Sequence, residues 1–153
     1  MSIPEIGKKI IVSVPSTTAN LGPGFDCLGA ALDLYNEFIF TRISGGGDRF
    51  DLIMESTDGN HLRGGPENLV YRAAQKVWAS AKITPFALEA RVKLAVPPAR
   101  GLGSSATAIV AGLIGANAIM DSPLSKEKLL ELAIDIEGHP DNVVPSLLGG
   151  LCL

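Results

Sequence analysis

The chain has 153 residues, of which 46% are hydrophobic and 19% are charged, so it can bury a core and does not have a disordered composition. Its net charge of −3 gives no reason to expect nucleic acid or an anionic membrane as a partner. The only cysteines, Cys27 and Cys152, exclude a disulfide framework and a CxxC zinc site. We expect one domain over residues 1–153 and, since the N-terminus lacks a signal-peptide profile, a cytoplasmic setting.

The amino-terminal part of the sequence predicts strands joined by a long polar loop. Strands are expected over Lys8–Ser16 and Asn36–Ile43, with a Gly-, Pro- and Asn-rich loop over Thr17–Gly29 between them. The run Gly45-Gly46-Gly47-Asp48 predicts a hairpin turn, with Phe50–Met54 as the strand that returns beside Asn36–Ile43. Irregular segments as long as Thr17–Gly29 tend to be functional.

The middle of the sequence predicts two helices and a strand. A second irregular segment, Glu55–Pro66, precedes a helix expected over Pro66–Ala81, where apolar residues recur at helical spacing. Alternating apolar and charged residues predict a half-buried strand over Leu88–Val96. A helix that is apolar almost all round, and hence buried rather than membrane-spanning, is expected to begin at Ser104 or Ser105.

The end of the sequence predicts two more helices and a strand. Ser125 is the expected N-cap of a helix that runs to about Glu137, and His139–Asn142 ends it and begins a short one. Gly149-Gly150 predicts a turn into a buried strand, and because the chain stops there we expect it to be part of a longer protein. Mixed strands and helices without regular alternation indicate an α+β fold.

The segment Gly101-Leu102-Gly103-Ser104-Ser105-Ala106 joins a predicted strand to the buried helix. Glycines allow close approach of the backbone to a ligand, and a helix N-terminus offers free N–H groups and positive potential, so the segment suits phosphate. Either serine hydroxyl can reach a Mg²⁺ ion. A serine-capped turn without a ligand is an even alternative. A dinucleotide site is disfavoured by Pro97-Pro98 before the glycines, and the missing Gly-Lys-Ser/Thr excludes a Walker A loop.

Two further motifs flank this segment. The loop Ala19-Asn20-Leu21-Gly22-Pro23-Gly24-Phe25-Asp26 holds a carboxamide and a carboxylate that can point into one cleft, although Asn and Asp are also common in loops for local backbone bonding. The run Glu137-Gly138-His139-Pro140-Asp141-Asn142 lacks zinc spacing and a Gly-x-Ser-x-Gly elbow, so alone it is best explained as a helix end with a capping turn.

Pro97-Pro98-x-x-Gly101-Leu102-Gly103-Ser104-Ser105 resembles the phosphate loop of the GHMP kinases, the family of galactokinase, homoserine kinase, mevalonate kinase and phosphomevalonate kinase. With the flanking motifs in the same order, the resemblance is to the homoserine kinase branch and extends from about Val12 to Leu153. It implies the N-terminal ATP-binding domain of that family, a ribosomal-protein-like βαβ fold with a mixed sheet, and a C-terminal ferredoxin-like domain absent from this chain.

The resemblance implies ATP- and Mg²⁺-dependent phosphorylation of L-homoserine to O-phospho-L-homoserine in threonine biosynthesis, and is compatible with a homodimer. The alternatives are another kinase of the family, such as a mevalonate-kinase-like enzyme, and an inactive truncated nucleotide-binding module. Because members of the family are longer, we expect the chain alone to be inactive or poorly folded. His139 and Asn142 favour homoserine over a branched hydroxy acid.

Site residues follow from the same resemblance. Asn20 and Asp26 would contact homoserine, with Asp26 near the δ-hydroxyl and His139 at the amino-acid end. Asn142 stands where mevalonate kinase carries its catalytic aspartate, so the candidate catalytic residues are Asp26, Asn20 and Asn142. An asparagine cannot act as a base, and we expect orientation of the hydroxyl without a dedicated base. Mg²⁺ would be bound by Ser105 and Glu137, with Glu131 as the alternative to Glu137. The implied ATP-binding residues are Asn68, Pro97, Pro98, Ala99, Arg100, Gly101, Leu102, Gly103, Ser104, Ser105, Ala106 and Thr107.

Overall fold

The computed structural model describes residues 3–19, 21–22, 27–47, 49–55, 61–64, 68–96 and 101–153. Strands and helices are mixed along the chain, and the predicted α+β class is confirmed. In chain order the elements are β1 (Lys9–Thr18), β2 (Gly29–Arg42), β3 (Phe50–Glu55), β4 (His61–Gly64), α1 (Leu69–Ser80), β5 (Leu88–Lys93), α2 (Ser104–Ile119), α3 (Lys126–Glu137), α4 (Val143–Leu148) and β6 (Leu151–Cys152).

The strands form one mixed sheet in the order β1-β2-β5-β3-β4, and β6 pairs with the beginning of β2. All described pairs are antiparallel except β3 with β5, which are parallel and are connected through β4 and α1. The crossover through α1 supplies the βαβ unit and brings β5 into the middle of the sheet. The end of β5 then leads toward the glycine-rich segment and α2.

The predicted hairpin between β2 and β3 is wrong, because β5 lies between these two strands. The connection from β2 to β3 bonds to the start of β5 on both sides: the N–H of Ile43 donates to the carbonyl of Ala87, and the N–H of Leu88 donates to the carbonyl of Arg49. At Gly47 an added Cβ would lie 2.7 Å from the carbonyl oxygen of Pro85. The glycine run thus makes room for the chain entering β5 instead of turning a hairpin.

Strand boundaries also differ from expectation. β2 begins at Gly29, not Asn36, because its first part pairs with the end of β1 and with β6. β4 was not predicted and lies inside the segment expected to be irregular. β5 ends at Lys93, three residues early, and β6 exists but is not buried, since Leu151 is 66% exposed. The helices α1, α2, α3 and α4 confirm the predicted ones.

The core lies between one face of the sheet and the helices. Phe38 and Phe40 of β2, Trp78 of α1 and Ile109 of α2 belong to one buried cluster, while alternate strand residues on the other face, such as Ile11, are exposed. Burial of large apolar side chains of this kind contributes about 1.5–3 kcal/mol each. The packing fixes α2 over the sheet and therefore fixes where its N-terminus points.

Helix α2 approaches its neighbours closely through two glycines. An added Cβ at Gly115 would lie 2.2 Å from the ring of Phe40, and one at Gly112 would lie 2.5 Å from the carbonyl oxygen of Val70 on α1. The helix is therefore wedged between β2 and α1, as its apolar surface predicts. In the part of the chain that the structure describes, no helix has the length and apolarity needed to cross a membrane.

Candidate functional site

The glycine-rich segment enters α2 through two left-handed residues. Gly101 has φ +70° and Gly103 has φ +62°, a conformation that glycine adopts without the strain of a Cβ. Gly103 is the N-cap of α2 and supplies no side-chain cap bond, while Ser104 and Ser105 are the first helical residues. The N-cap of α2 is therefore a glycine and not the serine that the alternative expected. The first-turn N–H groups have no acceptor within the helix, and the positive end of the helix dipole lies there.

The pairing of β1 with β2 becomes irregular next to Thr17, which contacts this loop. The register with β2 shifts between Pro15 and Thr17, and Ser16 and Thr17 are both fully buried although neighbouring strand residues normally face opposite sides. The N–H of Thr17 donates to the carbonyl of Leu102 at 3.2 Å. The end of the first strand is thus bonded directly to the glycine-rich segment.

The side chain of Thr17 also reaches the motif Glu137-Gly138-His139-Pro140-Asp141-Asn142, called the third motif below. Its hydroxyl donates to Oδ1 of Asn142 at 2.9 Å, and Asn142 is the N-cap of α4. Gly103 lies against this contact, since an added Cβ there would be 2.0 Å from the Thr17 hydroxyl oxygen and 3.3 Å from Asn142 Oδ1. The end of β1, the glycine-rich segment and the third motif therefore meet at one place.

The predicted metal-binding pair lies at the same helix start. The hydroxyl of Ser105 donates to Oε1 of Glu137 at 2.7 Å, bringing together the first turn of α2 and the last residue of α3. Glu131, the alternative, instead accepts from Nζ of Lys128 at 2.6 Å. A hydroxyl and a carboxylate are hard oxygen donors that suit Mg²⁺, which takes few protein ligands besides phosphate and water. Among the described residues no cluster of three or more His, Cys, Asp or Glu could hold a metal ion by itself.

His139 and Asp141 order the turn between α3 and α4. Nδ1 of His139 lies 2.5 Å from Oδ1 of Asp141, which also accepts the backbone N–H of Asn142 at 2.9 Å. This turn begins after Gly138, the C-cap of α3, which has φ +91°. The His139 side chain remains 59% exposed and can meet a ligand from solvent.

Other predicted site residues are placed less directly. Asn68 is the N-cap of α1 and its side chain accepts from the N–H of Val70 at 2.8 Å, so one of its oxygen lone pairs is used for capping. Ala106 and Thr107 lie in the first turn of α2 and are buried. Asn20, Asp26, Pro97, Pro98, Ala99 and Arg100 lie outside the described residues.

Two polar residues at the site were missed from the sequence, Thr17 and Asn36. Asn36 lies at an inward-facing position of β2, is 1% exposed, and bonds to the backbone just before the loop and to Thr107 just after it. An asparagine in register with Phe38 and Phe40 was the available signal, because a polar side chain at a core position needs specific partners. Thr17 carried no such signal, since its burial and its contacts depend on segments far along the chain.

Comparison with known proteins adds four findings. A family model described as "GHMP kinases N terminal domain" matches residues 68–150. A curated homoserine kinase of Prochlorococcus marinus (strain MIT 9301) is 94% identical over 153 residues, which cover 100% of this chain and 49% of that protein. The crystal structure of homoserine kinase from Cytophaga hutchinsonii has a TM-score of 0.82 and 28% identity, over 99% of this chain and 50% of that one. Mevalonate kinase of Methanococcus jannaschii, at 16% identity and TM-score 0.75, over 95% of this chain and 53% of that one, has the same fold. The chain spans about half the length of the curated relatives it matches.

Proposed function

Because the chain belongs to the GHMP kinase family, we propose that it is the ATP-binding half of an enzyme that phosphorylates L-homoserine. The reaction transfers the γ-phosphoryl group of ATP to the δ-hydroxyl, giving O-phospho-L-homoserine and ADP, a step of threonine biosynthesis. The observation that carries the proposal is the meeting of the end of β1, the loop at Gly103 and the third motif at Asn142. The 94% identity to a curated homoserine kinase supports the choice of substrate.

The nucleotide phosphates would lie against the first turn of α2. The N–H groups of this turn and the helix dipole stabilise negative charge there, and the left-handed glycines let the backbone approach without side chains in between. Pro97–Arg100 would complete the loop, and Asn68, at the start of α1, would contact the adenine. Phosphoryl transfer depends mostly on such positioning and charge stabilisation, because the protein has little covalent chemistry to perform.

Mg²⁺ would be held by Ser105 and Glu137, whose oxygen atoms are 2.7 Å apart. When bound, the ion neutralises charge on the phosphate oxygens. We prefer Glu137 to Glu131 because the carboxylate of Glu131 is paired with Lys128 on the same exposed helix face. The donor set fits a cation that shares its coordination with phosphate and water.

The acceptor substrate would be oriented by Asn20, Asp26 and His139, with Asn142 beside the phosphate loop. The Thr17 hydroxyl donates to Oδ1 of Asn142, so the NH₂ group of this carboxamide stays available as a donor and would serve the reacting oxygens. A donor at this position orients and stabilises charge but removes no proton. Holding a hydroxyl in line with the phosphoryl group can supply up to roughly 7–11 kcal/mol of the barrier reduction.

The test is ADP release by the full-length protein with a panel of hydroxy compounds. We expect Mg²⁺-dependent release with L-homoserine and little with L-serine, L-threonine or mevalonate, with O-phospho-L-homoserine identified as the product. Preference for mevalonate would favour the mevalonate-kinase-like alternative. Binding of ATP without turnover of any acceptor would favour a nucleotide-binding module and reject the proposal.

The full-length protein is required because the chain spans about half the length of its curated relatives. We infer that the remainder, a ferredoxin-like domain in the family, completes the homoserine site, and that the 153-residue polypeptide alone is inactive. The free thiols of Cys27 and Cys152 fit the proposed cytoplasmic location. The proposed partners are ATP and L-homoserine, and a homodimer is a compatible assembly.

A further inference from the structure

Asn36 lies on β2 beside the point where β5 leaves the sheet. The ladder between the two strands ends with Glu37 opposite Lys93, so the next position on β2 is Asn36. There the side chain replaces the ladder: Oδ1 of Asn36 accepts the backbone N–H groups of Ala95 and Val96, each at 2.9 Å. These bonds hold the chain at the last described residue before the phosphate loop.

The same carboxamide also holds the far end of that loop. Nδ2 of Asn36 donates to the hydroxyl oxygen of Thr107 at 3.1 Å, and that hydroxyl donates to the carbonyl of Ser104 at 2.9 Å. Asn36 is 1% exposed and Thr107 is fully buried, so water cannot easily replace these bonds. One side chain therefore bonds both to the segment between β5 and the loop and to helix α2, which follows the loop.

We propose that Asn36 is a positioning residue that fixes the spacing of these two ends and thereby directs the first-turn N–H groups of α2 at the nucleotide phosphates. The inference rests on the proposed function, since it assigns a residue to the same nucleotide site. Removal of the carboxamide leaves the N–H groups of Ala95 and Val96 and the Thr107 hydroxyl without their buried partner. The loop ends then relax apart, and the phosphates lose the alignment of donors that binds them.

A purely structural role would lower stability without a specific effect on ATP. Asn117 provides the matched control, because it is also buried, lies on α2 and makes a comparable pair of bonds. Its Nδ2 donates to the carbonyl of Leu124 and its Oδ1 accepts the N–H of Leu124, both at 3.0 Å. These bonds close the turn after α2, which lies about 20 Å along the helix from Ser104 at 1.5 Å per residue.

The experiment compares Asn36→Ala with Asn117→Ala in the full-length enzyme. Both should lower Tm, but only Asn36→Ala should raise KM for ATP, by about tenfold or more, which corresponds to about 1.4 kcal/mol. In Asn36→Ala the KM for homoserine should change by less than the KM for ATP, and in Asn117→Ala both KM values should stay near those of the wild type. Equal KM values for ATP in the two variants would overturn the proposal.

Two further measurements keep the test decisive. If Asn36→Ala does not fold, Thr107→Val removes the bond from Asn36 to α2 together with the bond from the Thr107 hydroxyl to the carbonyl of Ser104, and it leaves the bonds to Ala95 and Val96 in place. Because the Thr107 side chain is fully buried, a rise in KM for ATP would act through the start of α2. An unchanged KM would then reject the role. If the wild-type protein does not phosphorylate homoserine, the proposed function fails. The inference is then judged by the Kd of a non-hydrolysable ATP analogue, and equal Kd values for Asn36→Ala and Asn117→Ala would reject it.

Discussion

Substitution of Gly103 by alanine would test the meeting point of the three motifs. A left-handed residue with a Cβ costs about 1–2 kcal/mol. The added Cβ would also lie 2.0 Å from the Thr17 hydroxyl oxygen, which must move and lose its bond to Asn142. Loss of that bond costs about 0.5–1.5 kcal/mol, so the free energy of unfolding should fall by about 2–4 kcal/mol once steric repulsion is included. Catalytic activity should fall as well, since Asn142 is displaced.

Gly138→Ala is the matched control for this substitution. Gly138 has φ +91°, yet an added Cβ would meet nothing within 4 Å, so only the backbone strain of about 1–2 kcal/mol applies. Urea unfolding of the full-length variants measures the difference. The clash should also be partly relieved when Thr17→Ala is combined with Gly103→Ala, giving a favourable coupling in a double-mutant cycle. Equal losses for the two glycine variants and zero coupling would refute the reasoning.

Two further predictions concern carboxylates of α3. Glu137→Gln should raise the Mg²⁺ concentration needed for half-maximal activity by about tenfold. Glu131→Gln should leave that concentration unchanged, because the carboxylate of Glu131 bonds to Lys128. Superimposable Mg²⁺ titration curves for Glu137→Gln and wild type would reject the assignment. The hydrogen bond from Lys76 lowers the pKa of Asp135 below its ordinary 3.8, so this bridge between α1 and α3 stabilises the fold above that pH and is lost as pH falls through the folded pKa. Asp135→Asn should therefore lower Tm slightly near neutral pH, and its difference from wild type should shrink as the pH falls below 3.8, which thermal scans across pH can check.

Local patterns predicted the helices well because each helix carries its own signals. The apolar spacing over α1, the all-round apolarity of α2 and the Ser125 cap of α3 all lie within single segments. Pairing between strands is different, since it depends on partners far along the chain. The order in which β5 separates β2 from β3 could not be predicted from the glycine run at 45–47, which is compatible with a hairpin and with the observed crossover.

The candidate site was also only partly predictable, because some of its residues lie in local motifs and others depend on partners far along the chain. The glycine-rich segment and its flanking motifs were visible in the sequence, but motif spacing could not choose between Glu131 and Glu137. Both lie on α3, and only the contacts of their side chains distinguish them. Thr17 and Asn36 act through side chains buried between elements. Their contacts accompany the register shift between β1 and β2 and the departure of β5 from the ladder, which are properties of the assembled sheet.

The register shift between β1 and β2 divides β1 into two parts. Before it, Val12 and Val14 face the core with ordinary alternation; beyond it, Ser16 and Thr17 are both buried, and Thr17 contacts the third motif. The additional length lies on the partner strand, because residues 32–34 of β2 stand opposite the single residue Ser16. A change of length in this part of β2 would therefore move the end of β1 that reaches the glycine-rich segment, while the apolar residues before Pro15 keep their places.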